Sequence, residues 1–583
     1  MGNQLYNLIM ASVPEFYSGN EGEFQIPRDR FLQYTEDHVK EPFQSLGQDA
    51  IRKLKSLPAI FATEDEVTDA RIGKITDVRV SPNNLRVKYS FDKGRYPLTR
   101  GVLKENQQKL GIGKSGYEFH REHWGIKECD LYAFYEEYSR SLTGIAQKLK
   151  HTDKKVQLIY AFNGTGKTRL SLALKKLVAP VSLVRQEDDY AFGDSFIIEQ
   201  TRKKFIYYNA FTEDLFYWDN HFDDNELERG FEPKLKIQPN SFTAWILKEQ
   251  GDVNIIGNFQ RYTDKRLLPK FIENEKVVKD KEGKNVKIKT YPEVTFTVLT
   301  DIPEGTDESE IKIDDNKLVK RGKDELIKIS KGEESNFIWS VFYTLLQEVI
   351  SILSEPDPAK RSDNQFDSLQ YVFIDDPVSS LDENHLIELA VDLSTLIKKS
   401  AYADGKGLKF VITTHNPLFY NVLWNEFNND LYKDLPDGKR QCLYKRDQSK
   451  KYRLDKKADG TFELIDSNDH PFSYHLFLLS ELSGAIKSNQ IEKYHFNFLR
   501  NILEKTATFL GCKHWAELLP KTADNQPDPF ANRILNLSSH SAHAGEEIAD
   551  IKETDKEKLI ELITFLTDTY HFKEDNKQNA GTN

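Results

Sequence analysis

A run of eight residues, from Ala161 to Thr168 (AFNGTGKT), has the composition of a phosphate-binding loop. It differs from that loop only at its first position, where alanine replaces glycine. An apolar segment over residues 156–160 predicts a buried strand before the run, and a helical pattern starts at about Lys167. In this setting the loop amides surround the β-phosphate of ATP, Lys167 reaches the β- and γ-phosphate oxygens, and Thr168 offers its hydroxyl to Mg²⁺. We therefore expect six residues to bind the nucleotide: Asn163, Gly164, Thr165, Gly166, Lys167 and Thr168.

Two carboxylates follow a second apolar strand, which is predicted over residues 371–374. Asp375 and Asp376 taken alone would be an ordinary acidic strand end. Together with the phosphate loop they supply the two remaining groups that ATP hydrolysis needs, a magnesium ligand and a group that positions the attacking water. We assign Asp375 to the metal, beside Thr168, and Asp376 to the water.

Three further motifs resemble those of ABC-type ATPases. The run from Asp375 to Asp382 (DDPVSSLD) resembles their Walker B and D-loop segment, and residues 413–416 (TTHN) resemble their switch-histidine segment. Residues 329–334 (ISKGEE) are similar to the degenerate signature motif. This resemblance implies a P-loop α/β ATPase domain in which His415 is the switch residue.

In such ATPases two nucleotide-binding units sandwich ATP. The resemblance therefore implies that Ser330 and Gly332 face the γ-phosphate held by a second copy, and that the protein forms a homodimer or higher homo-oligomer when ATP is bound. Asp376 stands where transporters usually have glutamate, and its shorter reach favours slow turnover, which suits a switch better than a motor.

Among soluble ABC-type ATPases, these runs most resemble the PrrC and RloC anticodon nucleases and related bacterial phage-defence ATPases, over roughly residues 150–570. In that family a C-terminal helical domain carries an Arg-x-x-x-Glu pair and a later histidine that cut a tRNA in its anticodon loop. Arg500 and Glu504 match the pair, and His540 matches the histidine. The run from Arg533 to His540 also resembles the Arg-x(4–6)-His motif of HEPN ribonucleases.

The chemistry is consistent with that resemblance. A metal-independent ribonuclease needs a group of near-neutral pKa to move the 2′-OH proton, and a cation to stabilise the charged phosphorane. His540 suits the first task, with His543 close by as an alternative, and Arg500 or Arg533 suits the second. Attack by the 2′-OH would leave a 2′,3′-cyclic phosphate. From spacing alone, Arg500 and Glu504 are equally an ordinary surface ion pair on one helix face.

A basic segment from Lys439 to Lys457 holds nine lysines and arginines in 19 residues, with Tyr444 and Tyr452 interleaved. The whole chain carries 81 basic and 92 acidic side chains, for a net charge of −11, so contact with RNA requires a local patch of this kind. We expect tRNA to bind there, although a charge run is also typical of a solvated surface.

Composition and pattern divide the 583 residues into several regions. We expect an α/β fold with an ABC-type ATPase domain between an N-terminal α+β domain and a C-terminal all-helical effector domain. The predicted boundaries are 1–150 for the N-terminal domain, with a hairpin at about 81–84; 151–435 for the ATPase domain, with a strand-rich insertion at about 205–325; 436–470 for the basic strand region; 471–573 for the helical domain, a candidate HEPN-like ribonuclease; and 574–583 for a tail.

Two functions from different classes fit this sequence. The first is a defence protein whose ATPase controls a C-terminal tRNA anticodon-loop endoribonuclease. The second is a regulatory ATPase of an anti-phage system that acts on a separate toxin or nuclease subunit. In both, residues 1–150 would sense a phage-derived trigger or dock a second subunit. We expect a cytoplasmic protein without membrane contact, because no run approaches the roughly 18 apolar residues of a membrane helix and the three cysteines form no paired motif.

Overall fold

The computed structural model describes residues 4–12, 19–113, 117–179, 204–209, 216–218, 234–237, 245–247, 253–279, 285–298, 326–377, 383–403, 405–436, 438–457, 459–467, 473–521, 524, 526, 528–529 and 552–572. The chain divides into two compact units, Met1–Pro471 and Phe472–Asn583. The first unit contains an N-terminal sheet and the ATPase sheet, and the second is built from helices.

The N-terminal sheet has six strands: β1 (Leu5–Ala11), β2 (Glu21–Pro27), β3 (Pro58–Thr63), β4 (Arg71–Val80), β5 (Asn84–Phe91) and β6 (His123–Glu128). Four helices accompany it: α1 (Asp37–Lys40), α2 (Gln48–Ser56), α3 (Val102–Glu105) and α4 (Leu131–Ser139). The strand order is β2-β5-β4-β3-β1-β6, with β1 parallel to β3 and the other pairs antiparallel. The predicted hairpin is confirmed as β4 and β5.

Both faces of the N-terminal sheet are buried. Along β1, Leu8 and Met10 join one apolar cluster, while Ile9 and Ala11 join another on the opposite face. Since successive side chains of a strand point to opposite faces, an uninterrupted apolar run such as β1 requires cover on both sides.

A buried group of charged and titratable side chains lies at the edge strand β6. Lys127 Nζ is 2.7 Å from the carboxylate of Glu118, and His123 Nε2 is 3.8 Å from that carboxylate. Burial lowers the pKa of His123 to about 4, with Glu118 opposing and Lys127 reinforcing the shift. The imidazole is therefore neutral in the folded protein at pH 7.

Acid should destabilise the N-terminal domain through His123. The unfolded chain takes up this proton near the ordinary pKa of 6.5, but the folded chain does so only at about 4. The free energy of unfolding should thus fall by about 3 kcal/mol as the pH drops through this interval, and no further below it. We expect thermal unfolding at pH 7 and pH 4.5 to show this loss for the wild type and a smaller loss for His123→Gln. Equal losses in both proteins would contradict the assignment.

The ATPase sheet has six strands: β7 (Val156–Ala161), β8 (Phe205–Asn209), β14 (Tyr371–Asp375), β17 (Lys409–Thr414), β20 (Ser449–Lys456) and β21 (Phe462–Asp466). Their order is β21-β20-β7-β17-β14-β8, and all neighbours are parallel except β20 and β21. Helices α5 (Leu142–His151) and α6 (Lys167–Val178) pack on one face with the β7 side chains Ile159 and Ala161. The predicted strands before the phosphate loop and before the paired carboxylates are confirmed as β7 and β14.

Two predicted boundaries fall inside this sheet. β20 lies within the region 436–470 but pairs directly with β7, so this region is continuous with the ATPase sheet. β8 lies at the start of the predicted insertion but pairs with β14 as the edge strand. The sequence did not predict the positions of β8 and β20 because neighbouring strands of a parallel sheet are separated by long connections in the chain.

Elements between and beside these strands complete the first unit. A second sheet contains β9 (Phe216–Trp218), β10 (Leu235–Ile237), β11 (Leu267–Lys279), β12 (Asn285–Val298) and β13 (Leu326–Ile327), in the order β11-β12-β10-β9 with β13 beside β12. Two hairpins are formed by β15 (Tyr402–Ala403) with β16 (Lys406–Gly407) and by β18 (Leu431–Asp434) with β19 (Arg440–Tyr444). The helices are α7 (Val253–Arg261), α8 (Lys331–Leu353), α9 (Glu383–Lys399) and α10 (Pro417–Glu426).

Helix α8 begins with a capping box. The Ser330 hydroxyl accepts a hydrogen bond from the Glu333 amide, and the Glu333 carboxylate accepts one from the Ser330 amide at 2.7 Å. Among the described residues, α8 is the one helix long and apolar enough to cross a membrane, which corrects the prediction that no segment approaches this length; 78% of its apolar window is buried inside the protein. The burial of α8 in the core therefore accounts for its hydrophobicity.

The second unit contains α11 (Tyr474–Lys487), α12 (Lys493–Leu510) and α13 (Glu553–Tyr570). Apolar residues from all three helices form a single core cluster, with Leu482, Leu503 and Leu562 among its members. Helix α12 ends at Gly511, whose φ of 74° is the left-handed conformation that favours glycine at this position.

Candidate functional site

The phosphate loop connects the buried strand β7 to helix α6 at the carboxyl end of the ATPase sheet. Gly164 and Gly166 have φ values of 79° and 92°, which L side chains adopt only with strain. The Thr165 hydroxyl donates to the Phe162 carbonyl at 2.6 Å and closes the turn. The two glycines thus allow the tight turn that leads into the N-terminus of α6, where a phosphate group is favoured.

Lys167 lies folded against its own loop. Its ammonium group is 3.1 Å from Asn163 Oδ1, 3.3 Å from the Ala161 carbonyl and 3.5 Å from the Asp376 carboxylate. The side chain is buried, so its charge acts in a region of low dielectric constant. This arrangement can place a positive charge on the β- and γ-phosphate oxygens.

The two predicted metal ligands are neighbours. Thr168 donates its hydroxyl to the Asp375 carboxylate at 2.8 Å, although 207 positions separate them in the sequence. Burial raises the pKa of Asp375, opposed by hydrogen bonds from Thr413 and Thr168. A hydroxyl and a carboxylate are the hard oxygen ligands that Mg²⁺ prefers, and a cation here would favour the charged carboxylate. The residues present therefore fit Mg²⁺, which would neutralise phosphate charge at this position.

Two residues near the metal ligands were not predicted from the sequence. Tyr207 donates its hydroxyl to Asp375 at 3.2 Å, and Asn209 donates its amide to the Tyr207 hydroxyl at 3.0 Å. Both lie on β8, whose residue Asn209 is in register with Asp375. They orient the carboxylate through a chain of two hydrogen bonds. No local motif marks them, because their proximity depends on the pairing of β8 with β14.

The structure brings Asp376 and His415 into direct contact. His415 Nδ1 lies against the Asp376 carboxylate, which also accepts a hydrogen bond from the Thr414 hydroxyl at 3.2 Å. Asp376 has a φ of 53°, a left-handed conformation that asparagine and aspartate tolerate better than most residues. Its carboxylate is thus held at the end of β14 by groups from β17 and by the nearby Lys167.

The predicted signature residues lie at the start of α8. Ser330 is exposed and uses its hydroxyl as the helix cap, and Gly332 occupies the first turn. Among the described residues, no hydrogen bond or ion pair joins Ser330 to the phosphate loop. The role of Ser330 and Gly332 across a dimer stays a prediction.

The candidate nuclease pair lies on α12 in the second unit. Arg500 Nε donates to Glu504 Oε1 at 2.8 Å, and the guanidinium is 5.6 Å from the centre of the Trp515 ring. The carboxylate is about half exposed. The pair therefore forms, and its carboxylate is more exposed than its cation, whose side chain is 23% exposed. The other predicted members, Arg533, His540 and His543, lie outside the described residues, as do residues 378–382 of the Walker B and D-loop run and the tail 574–583.

The basic segment is only partly a surface. Lys451 is buried and donates to Asn428 and Ser449, and Tyr444 and Tyr452 are core residues. These three were wrongly predicted to face RNA: Lys451 and Tyr452 lie on β20, an interior strand of the ATPase sheet, and Tyr444 packs against Phe427 at the end of β19. Four other cations of the segment are paired with carboxylates: Arg440 with Asp434, Lys450 with Asp466, Arg453 with Asp455 and Lys457 with Glu463. The other four cations of the segment are exposed: Lys439, Lys445, Arg446 and Lys456.

Comparison with known proteins gives one family model and one extended relative. Residues 298–568 match the model of an AAA domain, which is an ATPase domain. The chain is similar to an anticodon nuclease of Escherichia coli, with 43% identity over 436 residues, which is 73% of this chain and 92% of that protein. Among solved structures, it is similar to the SMC head bound to the C-winged helix domain of ScpA, with 11% identity, 54% of this chain and 90% of that chain covered, and a TM-score of 0.21.

Proposed function

The chain belongs to the PrrC/RloC family of anticodon nucleases, and on this premise we propose that it is an ATP-controlled endoribonuclease that cuts tRNA in the anticodon loop. The observation that carries the proposal is the 43% identity to the Escherichia coli anticodon nuclease over most of both chains. The AAA domain match and the contact between Thr168 and Asp375 support the ATPase part.

In the ATPase part, Lys167 binds the β- and γ-phosphate oxygens, while Thr168 and Asp375 hold the magnesium that accompanies ATP. Asp376 orients the attacking water, and His415 holds the carboxylate in place through their direct contact. Ser330 and Gly332 contact the γ-phosphate of a second copy, so ATP binding favours a homodimer. Ser330 is exposed at the N-terminus of α8, and this position supports the role because a helix N-terminus favours a phosphate group.

In the nuclease part, the helical unit works without a metal ion. His540 takes the 2′-OH proton of the target nucleotide, and Arg500 or Arg533 stabilises the charged phosphorane. Glu504 orients Arg500 through the 2.8 Å hydrogen bond. The 2′-oxygen bonds to phosphorus as the bond from phosphorus to the 5′-oxygen breaks. The leaving 5′-oxygen takes a proton from water or from the protonated imidazole, which gives a 2′,3′-cyclic phosphate and a free 5′-hydroxyl. This domain is HEPN-like, and DNA is excluded as a substrate because it lacks the 2′-OH.

The regulation follows from the arrangement of the domains along the chain. Slow hydrolysis of ATP sets the time during which the dimer persists, and the dimer controls the C-terminal nuclease. Residues 1–150 receive a phage-derived trigger or a second defence subunit in the cytoplasm. The apolar clusters on the two faces of the N-terminal sheet are formed by residues 5–138 alone, which supports a separate role.

The test is cleavage of total tRNA by purified full-length protein, with and without ATP and Mg²⁺. We expect cuts in an anticodon loop that leave a cyclic phosphate, and about 10²-fold slower cutting by His540→Ala, since the variant lacks the proton acceptor. His475→Ala is the matched control, because His475 is a histidine of the same unit that is not among the proposed nuclease residues.

Cutting at the wild-type rate by His540→Ala would remove His540 from the mechanism. An absence of cleavage in every nucleotide state, with ATP hydrolysis intact, would instead identify the regulatory ATPase that acts on a separate nuclease subunit.

A further inference from the structure

A cleft of about 1210 Å³ opens in the unit Met1–Pro471, on the side where the parallel strands of the ATPase sheet begin. Tyr371 and Lys409, the first residues of β14 and β17, line it, together with Arg100 of the N-terminal domain. Helices α5 and α6 and the β15–β16 hairpin form the remaining walls. The phosphate loop lies at the opposite ends of these strands. The cleft is therefore separate from the candidate nucleotide site.

The cleft is strongly positive. Its described lining includes two carboxylates, Asp69 and Glu105, and seven cations: Arg100, Lys150, Arg169, Lys176, Lys204, Lys406 and Lys409. Lys150 lies 3.5 Å from Asp69 and Lys409 lies 3.9 Å from Asp153, but in the described part of the chain no carboxylate lies within ion-pair distance of Arg169 or Lys176. On a chain with a net charge of −11, such a concentration favours a polyanionic ligand.

Arg169 and Lys176 lie on one face of α6. Arg169, Leu172, Ala173 and Lys176 follow the spacing i, i+3, i+4, i+7, and all four line the cleft. Arg169 and Lys176 are exposed, and about 10 Å of helix axis separates them at the ordinary rise per residue. Two cations at this separation contact different phosphates of a polymer rather than one phosphate group.

The size and lining of the cleft also favour a polymer. Its volume exceeds the roughly 300–1,000 Å³ of small-molecule pockets, which are mostly lined by apolar side chains. Tyr371 is the one aromatic residue in the described lining, and only 4% of it is exposed. Bases therefore find no stacking surface here, and recognition must depend on the phosphates.

We propose that this cleft binds the phosphate backbone of RNA independently of base sequence, with Arg169 and Lys176 of α6 as central contacts. The choice of RNA among polyanions rests on the proposed function. Because α6 begins at Lys167, the same helix carries phosphate-binding residues of the ATP site in its first turn and RNA contacts along its outer face.

The experiment measures binding of fluorescently labelled tRNA to the full-length protein by anisotropy, over a series of salt concentrations and without Mg²⁺. We expect the double variant Arg169→Gln, Lys176→Gln to bind at least tenfold more weakly at low salt. The slope of log Kd against log salt should fall by about 1.4–1.8, because each phosphate contact contributes roughly 0.7–0.9. The matched control is Arg446→Gln, Lys456→Gln, which removes two exposed cations of the basic segment and should leave both quantities unchanged.

Unchanged affinity and slope in the cleft variant, with loss in the control variant, would place RNA on the basic segment and overturn the inference. Displacement of the labelled tRNA by polyglutamate as effectively as by unlabelled tRNA would overturn it in favour of an acidic polypeptide. Cleavage is scored separately: binding that depends on the cleft without any cleavage supports the inference while contradicting the proposed nuclease. Cleavage of tRNA by a protein whose RNA binding does not depend on the cleft would support the proposed nuclease and contradict the inference.

Discussion

Replacing Asp376 with asparagine should slow ATP hydrolysis by about 10²–10⁴-fold and leave ATP affinity within about threefold. The change removes the negative charge that orients the attacking water in the proposed mechanism, and general base and positioning groups contribute on this scale. Binding is retained because Lys167, Thr168 and Asp375 are unchanged. The measurement is single-turnover hydrolysis together with equilibrium binding of ATP.

Asparagine is the suitable replacement because Asp376 has a φ of 53°. Asparagine accepts this left-handed conformation, whereas alanine would add backbone strain of about 1 kcal/mol or more to the chemical effect. Asp434→Asn is the matched control, since Asp434 is an exposed carboxylate at the far hairpin β18–β19. If ATP brings two copies together, the Asp376→Asn protein should accumulate as an ATP-bound dimer in size-exclusion chromatography. Hydrolysis within tenfold of the wild-type rate would assign the water to another group.

Replacing Lys167 with alanine should lower ATP hydrolysis by about 10³-fold and, unlike Asp376→Asn, should also weaken ATP binding. The ammonium is the buried cation of the phosphate loop, and electrostatic groups aimed at phosphate charge contribute on this scale. If the proposed function is correct, tRNA cleavage by this variant should no longer respond to ATP. The measurements are ATP binding by calorimetry and tRNA cleavage at several ATP concentrations.

Lys399→Ala is the control for Lys167→Ala, because Lys399 is an exposed lysine at the end of α9. Its ATP binding and hydrolysis should equal those of the wild type. Wild-type ATP affinity in the Lys167→Ala protein would show that the phosphate loop is not the nucleotide site. Lys167→Ala and Asp376→Asn together separate the effect on ATP binding from the effect on ATP hydrolysis.

Local sequence patterns predicted part of the ATP site. The loop from Ala161 to Thr168 and the paired carboxylates were predicted from contiguous residues, and the structure places Thr168 and Asp375 in contact at 2.8 Å. Tyr207 and Asn209 were missed, although they complete the same hydrogen-bond network. Their strand, β8, carries no motif and was assigned to the insertion, because only its pairing with β14 places it beside the site.

For the basic segment, the sequence predicted the number of charges but not their exposure. Its charge density was correct, yet Lys451 is buried within β20, and four neighbouring cations are neutralised by carboxylates. The cations of the cleft beside α6 come from distant positions, from Arg100 to Lys409, and make no cluster in the sequence. Charge counted along the chain therefore revealed neither which cations of the segment are buried or paired nor the cleft beside α6.

The sequence by itself determined the phosphate loop, the paired carboxylates, the amphipathic helix α8 and the family resemblance, because these depend on neighbouring residues and on helical or strand periodicity. Only the tertiary structure decided that β20 and β8 belong to the ATPase sheet, that Tyr207 supports Asp375, and that a positive cleft lies along α6. The physical reason is that strand partners and exposed charges are set by contacts between residues far apart in the chain, where the free energy of packing outweighs local preference.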